Sequence, residues 1–291
     1  MIMNKDLTII FSSYQSQNLL KKFIKKFSKN FKIIIIENSL DFNIKKSLEK
    51  FKNVKVLIPN QNLGLARSYN LGIKNAKTKL VFLNNPDLDI SLKSIKILIK
   101  CAKNIKNFGI ISPTYKKEKV YKNYEIFSKK KISSFNKKFK KYDITEVDRI
   151  DNNFLINKNI INKISFDENF FLYFETIDFS QNIKKYEKKI FVLKKVKFHH
   201  IGSGSIPLKF KNLVEKTRAF HFNWSKFYFY RKNHSYFYAI RKILPNFVKS
   251  LKKIFIGCIK FNYFTIVIGL IELMGIFSAI FFVKSFYRPK N

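Results

Sequence analysis

The chain has 291 residues and carries 58 Lys and Arg against 19 Asp and Glu, a formal net charge of +39. Its hydrophobic fraction of 46%, which includes 33 Phe, excludes a disordered polycation and predicts a packed core. Two cysteines, Cys101 and Cys258, exclude a disulfide framework and a cysteine-based zinc site.

Short apolar runs alternate with amphipathic segments over the first hundred residues. Buried strands are predicted at 7–11, 33–36, 54–58 and 80–83. Helices are predicted between and after these strands, at 16–29, 41–51, 64–76 and 91–103. This alternation predicts the α/β class, with a mainly parallel central sheet flanked by helices. Ordered structure is expected to resume at 150–156, and a further strand is expected at 190–197.

Polar clusters follow three of the predicted strands. They are Ser12-Ser13-Tyr14, Glu37-Asn38 and Asn85-Pro86-Asp87. Ligands of parallel α/β sheets bind at the carboxyl ends of the strands. The sequence therefore predicts a ligand site at this edge of the sheet.

The pair Asn85-x-Asp87 offers an amide and a carboxylate oxygen, which suit Mg²⁺ or Mn²⁺. An ordinary turn that caps a helix is the alternative interpretation. His200 follows the predicted strand at 190–197, where a neutral imidazole is a further candidate metal ligand. The alternative for His200 is a structural role.

The segment 62–72 is the most patterned part of the chain. Gly64 permits a tight turn into a helix whose free N–H groups are predicted to face a diphosphate. Arg67 is predicted to add charge-assisted hydrogen bonds to phosphate. The segment is not a Walker loop, because no Gly-Lys-Ser/Thr follows.

Glu175 and Asp178 lie three residues apart within the aromatic stretch 170–179. At helical spacing the two carboxylates share a face, and an apolar setting suits a carboxylate to proton abstraction. Acidic residues at a helix N-terminus are the alternative interpretation.

Six segments occur in a fixed order: SSY (12–14), IIIIENS (33–39), NLGLARSYNLGI (62–73), FLNNPD (82–87), FDENFFLYFETIDF (166–179) and HIGSGS (200–205). Together they resemble family 2 glycosyltransferases, and within that family the rhamnosyltransferase-like enzymes of bacterial surface-polysaccharide assembly. The resemblance covers roughly residues 7–235. It implies a GT-A fold, a nucleotide-diphosphate sugar donor, a divalent cation (Mg²⁺ or Mn²⁺), and inversion at the anomeric centre.

The resemblance also implies residue roles. A nucleobase pocket, a nucleoside site and a phosphate contact are implied at Ser13, Tyr14, Glu37, Asn62, Gly64, Arg67 and Asn70. Metal ligands are implied at Asn85, Asp87 and His200.

One position departs from the family pattern. The family typically has Glu-Asp-x-Asp, and the Asp after the Glu is the usual general base; here that position is Thr176. Asn182 stands where the family often has Arg. The role of the base is therefore predicted to pass to Asp178 or Glu175. A catalytically impaired sugar- or nucleotide-binding homologue is the alternative.

The expected domain organisation is a GT-A catalytic domain at 1–205 and a basic, aromatic, helical region at 206–291. The catalytic domain is expected to comprise a nucleotide-sugar-binding half at 1–110, a Lys-rich insertion at 116–141, and an acceptor and catalytic half at 150–205.

The C-terminal region concentrates charge: residues 206–291 hold 12 Lys and 4 Arg against two acidic residues, Glu215 and Glu272. Elsewhere the Lys excess is typical of a codon bias.

Residues 263–283 are apolar and long enough to span a bilayer, but Glu272 is costly there. An interfacial or hairpin-like helix is predicted; a true span and a helix packed on the catalytic domain are the alternatives.

The mixture of aromatic and Lys residues in this region suits an anionic membrane surface. Acceptors in the resembled family are commonly lipid-linked, so we expect a lipid-linked glycan acceptor and a peripheral or monotopic protein at the cytoplasmic face of a bacterial inner membrane. A nucleic-acid-binding protein is the remote alternative. The chain has only six Arg, the residue that base readers favour, so no nucleic-acid partner is expected.

Overall fold

A computed structural model describes residues 6–116, 122–127, 142–161, 163–200 and 207–288. The predicted insertion at 116–141 lies outside this part of the chain except for 116 and 122–127, as do residues 201–205. The chain divides into two compact units. The sheet unit comprises Met1–Gln61, Ser68–Phe166 and Thr176–Ile206. The helical unit comprises Asn62–Arg67, Asp167–Glu175 and Pro207–Asn291.

The strands all belong to the sheet unit. In chain order they are β1 (Leu7–Ser13), β2 (Lys32–Glu37), β3 (Val54–Leu57), β4 (Leu80–Asn84), β5 (Leu88–Ile90), β6 (Phe108–Tyr115), β7 (Tyr124–Glu125), β8 (Ile144–Glu146), β9 (Arg149–Ile150), β10 (Phe154–Asn157) and β11 (Lys189–His200). The first six helices are α1 (Gln17–Phe27), α2 (Phe42–Leu48), α3 (Gly64–Asn75), α4 (Leu92–Asn104), α5 (Lys158–Ile161) and α6 (Glu175–Lys185).

The main sheet has the order β3-β2-β1-β4-β10-β6-β11-β5, and β8 also pairs with β11. Strands β3, β2, β1 and β4 are parallel to one another. β10 enters antiparallel between β4 and β6, and β5 and β8 are antiparallel to β11. The predicted α/β class with a helix-flanked central sheet is confirmed, and antiparallel strands extend its parallel half.

The four N-terminal strands and their helices form because their apolar residues follow strand and helix periods. On α1 the buried side chains are Leu20, Phe23, Ile24 and Phe27, one face of the helix. Phe23 lies edge-on to Phe11 of β1, with ring centroids 4.8 Å apart. Ser91 caps α4 by accepting a hydrogen bond from the N–H of Ser94 at 2.9 Å. The sequence prediction for this half is therefore confirmed.

The region 150–156, where ordered structure was expected to resume, contains the end of one strand and most of another. β9 ends at Ile150 and β10 begins at Phe154. Between them Asn152 and Asn153 have φ of 56° and 46°, a left-handed conformation that Asn tolerates better than most residues. This turn interrupts the strand at the edge where β4 ends.

The helical unit contains α7 (Lys211–Asn233), α8 (Tyr236–Ile259) and α9 (Tyr263–Ile280). These helices share a hydrophobic cluster of Phe220, Trp224, Phe227, Ala239, Ile243, Ile271, Ile276 and Ala279. The indole of Trp224 donates to the carbonyl of Val283 at 2.9 Å, which holds the segment after α9 against α7.

Helix α9 is long and apolar enough to cross a membrane by length and composition, and about a third of it is buried within the fold. Glu272, which made a span costly, accepts hydrogen bonds from Ser250 at 2.9 Å and from Lys253, both on α8. Its carboxylate is therefore paired inside the helical unit.

Candidate functional site

The carboxyl ends of β1 and β2 lie side by side, since Ser13 pairs in register with Glu37. One oxygen of Glu37 accepts the N–H groups of Gln15 and Ser39 at 3.2 and 3.1 Å. The second, Oε2, and the Ser13 hydroxyl are buried and have no hydrogen-bond partner among the described residues. A buried polar group without a partner costs roughly 1–3 kcal/mol, which a polar ligand would recover.

Tyr14 follows directly at the same edge. Burial, and secondarily the charge of Glu37, raises the pKa of the Tyr14 phenol above its usual value. Glu37 is fully buried, so Tyr14 and Glu37 share one low-dielectric site. The sheet brings together the three residues implied for the nucleobase pocket.

Asp87 and His200 meet beyond the end of β4. Their Oδ2 and Nε2 atoms are 3.2 Å apart, because β11 pairs antiparallel with β5 and places His200 opposite Leu88. Neighbouring ligands of an octahedral cation with bonds of about 2.1 Å lie about 3 Å apart. The pair therefore fits two adjacent positions around Mg²⁺ or Mn²⁺.

Asn85, the third implied ligand, is held by its neighbours. Its Oδ1 accepts from the Tyr69 hydroxyl at 3.0 Å, and its Nδ2 donates to Asn152 at 3.4 Å. Within the described ranges, no group of three or more His, Cys, Asp or Glu side chains is placed to hold a metal ion. Asp87 and His200 therefore place one carboxylate and one imidazole at this edge, and Asn85 is the remaining candidate ligand.

The turn at 151–153 is part of this site and has no signal in the sequence beyond a polar loop. The side chain of Asn153 accepts the N–H of Asn85 at 3.2 Å. Asp151 accepts the hydroxyl of Thr176 at 2.8 Å. Asp151, which belongs to no motif, is therefore hydrogen-bonded to Thr176, the residue that departs from the family pattern.

Helix α6 begins at Glu175, which places both carboxylates in its first turn, as in the alternative interpretation of acidic residues at a helix N-terminus. Both are almost fully buried, with Asp178 0% and Glu175 3% exposed. The second oxygen of Asp178 accepts from Asn182 at 3.3 Å. Each carboxylate is packed inside the protein, whereas Asp151 is partly exposed.

Gly64 opens α3 with φ of 71°. A Cβ at Gly64 would lie 2.2 Å from the carbonyl oxygen of Phe171, a distance that no side chain tolerates. The close approach allows that carbonyl to accept the N–H of Leu65 at 2.7 Å, and Asn62 Oδ1 accepts the N–H of Gly64 at 3.0 Å. The prediction of free N–H groups is wrong for these two, since the helical unit itself satisfies them.

The side-chain amide of Asn70, on α3 within the sheet unit, forms hydrogen bonds with the main chain of Phe166. Nδ2 donates to the Phe166 carbonyl at 3.0 Å, and Oδ1 accepts the Phe166 N–H at 3.0 Å. Both ends of the amide are engaged by Phe166, and the implied contact of Asn70 with the nucleoside stays a prediction.

Arg67 and Arg288 lie close together in the helical unit. The Arg67 Nε is 3.6 Å from Glu168 Oε2 and donates to the Glu168 carbonyl at 3.3 Å. The guanidinium of Arg288 lies over the ring of Phe171, 4.0 Å from its centroid. Burial, with a smaller contribution from Arg67, lowers the pKa of Arg288 to about 10. Arg288 has no motif around it, so sequence reasoning did not select it.

A parallel α/β sheet that gathers polar side chains at its carboxyl edge, continued by antiparallel strands, is the GT-A type of glycosyltransferase fold. The sequence model of "Glycosyl transferase family 2" matches residues 8–165, more than half of the chain. The chain belongs to this glycosyltransferase family. No curated protein matches it.

Solved structures are similar in fold and distant in sequence. GalNAc-T7 with UDP, GalNAc and Mn²⁺ is 12% identical with a TM-score of 0.51, over 78% of this chain and 51% of that one. S. aureus TarS 1–349 is 15% identical with a TM-score of 0.48, over 78% of this chain and 73% of that one. TarS 1–349 in complex with UDP is 16% identical with a TM-score of 0.47, over 78% of this chain and 73% of that one.

Proposed function

We propose that the protein transfers a sugar from a nucleotide-diphosphate donor to a glycan acceptor, with inversion at the anomeric carbon. The observation that carries this proposal is a pair of buried polar atoms, Glu37 Oε2 and Ser13 Oγ, that have no hydrogen-bond partner in the described part of the chain and lie at the carboxyl edge of the sheet. A nucleobase supplies hydrogen-bond donors and acceptors that satisfy such atoms, and Tyr14 offers an aromatic face beside them.

Asp87 and His200 would hold a divalent cation at the same edge, with Asn85 as the third candidate ligand. When bound, Mg²⁺ or Mn²⁺ supplies positive charge to the diphosphate of the donor. Asp87 supplies the negative charge that retains the cation, while the fixed register of His200 on β11 keeps the imidazole in position.

Arg67 and Arg288 would bind phosphate oxygens within the helical unit. Two neighbouring guanidinium groups repel each other, and Arg288 lies over the Phe171 ring. A bound phosphate relieves that repulsion through charge-assisted hydrogen bonds. Arg67 is thus proposed in the role that the sequence predicted, with Arg288 as an additional contact.

The assignment of Glu175 or Asp178 as the base stays a prediction. A general base must reach the acceptor hydroxyl within hydrogen-bond distance. Because both carboxylates are at most 3% exposed, access to either requires a rearrangement of the protein.

The acceptor is proposed to be lipid-linked, in polysaccharide or O-antigen-type assembly, with rhamnose or another deoxyhexose as the donor sugar. Helix α8 supports a membrane location. It exposes an apolar stripe at a spacing of three to four residues, made of Leu244 (55% exposed), Val248 (44%), Leu251 (44%), Phe255 (67%) and Ile259 (61%). Lys249, Lys252 and Lys260 lie between and beyond these residues. An apolar stripe among Lys suits the anionic, cytoplasmic face of a bacterial inner membrane.

Thr176 supports a second candidate, a homologue that binds nucleotide sugars but does not transfer them. Its hydroxyl is a poor base at neutral pH. This candidate shares the binding site and lacks turnover, so an assay of turnover distinguishes the two.

Calorimetric titration with UDP, dTDP and GDP, with and without Mn²⁺, tests the proposed site. We expect at least one nucleoside diphosphate to bind, more tightly with Mn²⁺, and Asp87→Ala to abolish the Mn²⁺-dependent gain. Asp89→Asn, on the neighbouring strand β5, is the matched control, since Asp89 forms an exposed ion pair with Lys26. Absence of binding by all three nucleotides would refute the proposal.

A further inference from the structure

The reaction proposed above needs a proton acceptor, and the usual family position for it is occupied by a hydroxyl, Thr176. In the structure this hydroxyl donates its hydrogen bond to a carboxylate that belongs to no family motif. The distance between Thr176 Oγ1 and Asp151 Oδ1 is 2.8 Å. Thr176 itself is 1% exposed, so its hydroxyl is fixed inside the protein and its direction is set by Asp151.

We propose that Asp151 is the general base of the reaction, with Thr176 as the residue that orients it; this inference rests on the proposed function. In effect the carboxylate of the family's base is supplied from the turn between β9 and β10 instead of from the start of α6. A base held by a third group is a recurring arrangement in enzymes that activate hydroxyl nucleophiles.

The position of Asp151 follows from strand register. β10 runs antiparallel to β4, and Phe154 pairs with Leu83. Extending this register places the 151–153 turn beside the residues that follow β4. Two hydrogen bonds fix it there: Asn153 accepts from the N–H of Asn85 at 3.2 Å, and Asn152 accepts from its side chain at 3.4 Å. Asp151 is therefore adjacent in sequence to the residues that hold Asn85.

The turn contains two consecutive residues in the left-handed conformation. Asn152 and Asn153 both have positive φ, at 56° and 46°. Consecutive left-handed residues cost free energy, and strained backbone is concentrated at functional sites. The N–H of Asp151 donates to the carbonyl of Asn123 at 2.8 Å, which fixes the start of the turn.

Accessibility distinguishes Asp151 from the other two candidates. Asp178 is 0% and Glu175 3% exposed, whereas Asp151 is partly exposed. A hydrogen bond from Thr176 also favours the charged form of a carboxylate, which is the form that accepts a proton. Asp151 thus combines access, orientation and charge.

In the proposed step the acceptor oxygen attacks the anomeric carbon as its O–H proton passes to a carboxylate oxygen of Asp151. The bond between the anomeric carbon and the phosphate oxygen breaks, and its electron pair stays on the nucleoside diphosphate. Asp151 then releases the proton to solvent. In the absence of an acceptor, water takes the place of the hydroxyl and the donor is hydrolysed.

The test compares Asp151→Asn with the unaltered protein in hydrolysis of UDP-, dTDP- and GDP-sugars. We expect kcat to fall by about 10²–10⁴-fold, the range that a general base contributes, while the affinity for the nucleoside diphosphate changes less than threefold. The fall of kcat at low pH, which reports protonation of the base, should disappear. Asp89→Asn serves as the matched control and should leave kcat unchanged.

Thr176→Val keeps the shape of the side chain and removes the hydroxyl. A positioning role predicts that kcat falls by roughly tenfold. It also predicts that the acidic limb of the pH profile, the fall of kcat at low pH, moves to higher pH, because the carboxylate of Asp151 loses a hydrogen bond that favours its charged form. A purely structural role would lower stability and leave the limb in place. Thr176→Ser should restore the limb of the unaltered protein.

Near-full kcat in Asp151→Asn overturns the proposal, as does loss of the acidic limb in Asp178→Asn or Glu175→Gln instead. Either result leaves the proposed function intact if the unaltered protein hydrolyses a donor. An unaltered protein that neither binds a nucleoside diphosphate nor hydrolyses a donor refutes the proposed function, and the assignment of Asp151 with it.

Discussion

Substitution of Gly64 by Ala tests whether the left-handed conformation of Gly64 and the close approach of Phe171 require a glycine at the start of α3. The left-handed φ of 71° costs a residue with a side chain about 1–2 kcal/mol. The new Cβ would lie 2.2 Å from the Phe171 carbonyl oxygen, and overpacking adds about 1–3 kcal/mol. Together these terms predict a loss of roughly 2–5 kcal/mol in the free energy of unfolding.

Trp224, the single tryptophan of the chain, reports on this loss, because it lies buried on α7 in the same unit as Gly64. With a urea slope of about 2 kcal/mol/M, this loss lowers the fluorescence midpoint by about 1–2.5 M. Gly72→Ala, on the same helix, isolates the overpacking term. Its Cβ would lie 2.5 Å from Cγ2 of the buried Ile10 and 3.0 Å from Cδ1 of Ile36, but Gly72 has no left-handed φ and Ala improves the helix propensity by about 1 kcal/mol. An unchanged midpoint in Gly64→Ala, or a larger fall in Gly72→Ala, would contradict the strain assigned to Gly64.

Three further predictions concern the helical unit. Burial lowers the pKa of His221 to about 3, so below pH 6.5 the unfolded chain binds a proton at His221 and the folded chain does not. Urea midpoints should show about 2 kcal/mol of stability lost between pH 7 and 5, and His221→Gln should lose less. Arg288→Gln should weaken nucleoside diphosphate binding about tenfold in calorimetry. The control, Arg231→Gln, also removes a guanidinium stacked on an aromatic ring and should not weaken this binding. Phe255→Asp should reduce flotation with vesicles containing phosphatidylglycerol.

Each of these has an outcome that contradicts it. An equal acid-induced loss in His221→Gln would show that another group titrates. Equal affinities in the two arginine variants would exclude Arg288 from the phosphate contact. Unaltered flotation of Phe255→Asp, or equal flotation with neutral and anionic vesicles, would contradict the docking of α8 on an anionic surface.

The sequence predicted the parallel half of the fold because its signals are local. Apolar runs of four or five residues mark β1, β2 and β4, and a helical period marks α1 and α4. β6 (Phe108–Tyr115) went unpredicted, since it contains Gly109, Ser112 and Pro113 and owes its strand conformation to pairing with β10 and β11. Long-range pairing of this kind leaves no period in the sequence.

The candidate site shows the same difference between local sequence signals and long-range contacts. The candidate metal ligands and the candidate nucleobase residues follow predicted strands, so their convergence at one edge could be foreseen from topology. Asp151 could not, because its relation to Thr176 depends on a contact across 25 residues. The occupied N–H of Leu65 likewise depends on Phe171, far along the chain.

The most direct test of nucleotide-sugar transfer is release of nucleoside diphosphate from a panel of UDP-, dTDP- and GDP-sugars by the purified protein with Mn²⁺. The account predicts release from at least one donor, abolished by Asp87→Ala and by chelation of the metal. Binding of a donor without release by the unaltered protein would identify a nucleotide-sugar-binding homologue and contradict the claim that the chain is an active glycosyltransferase.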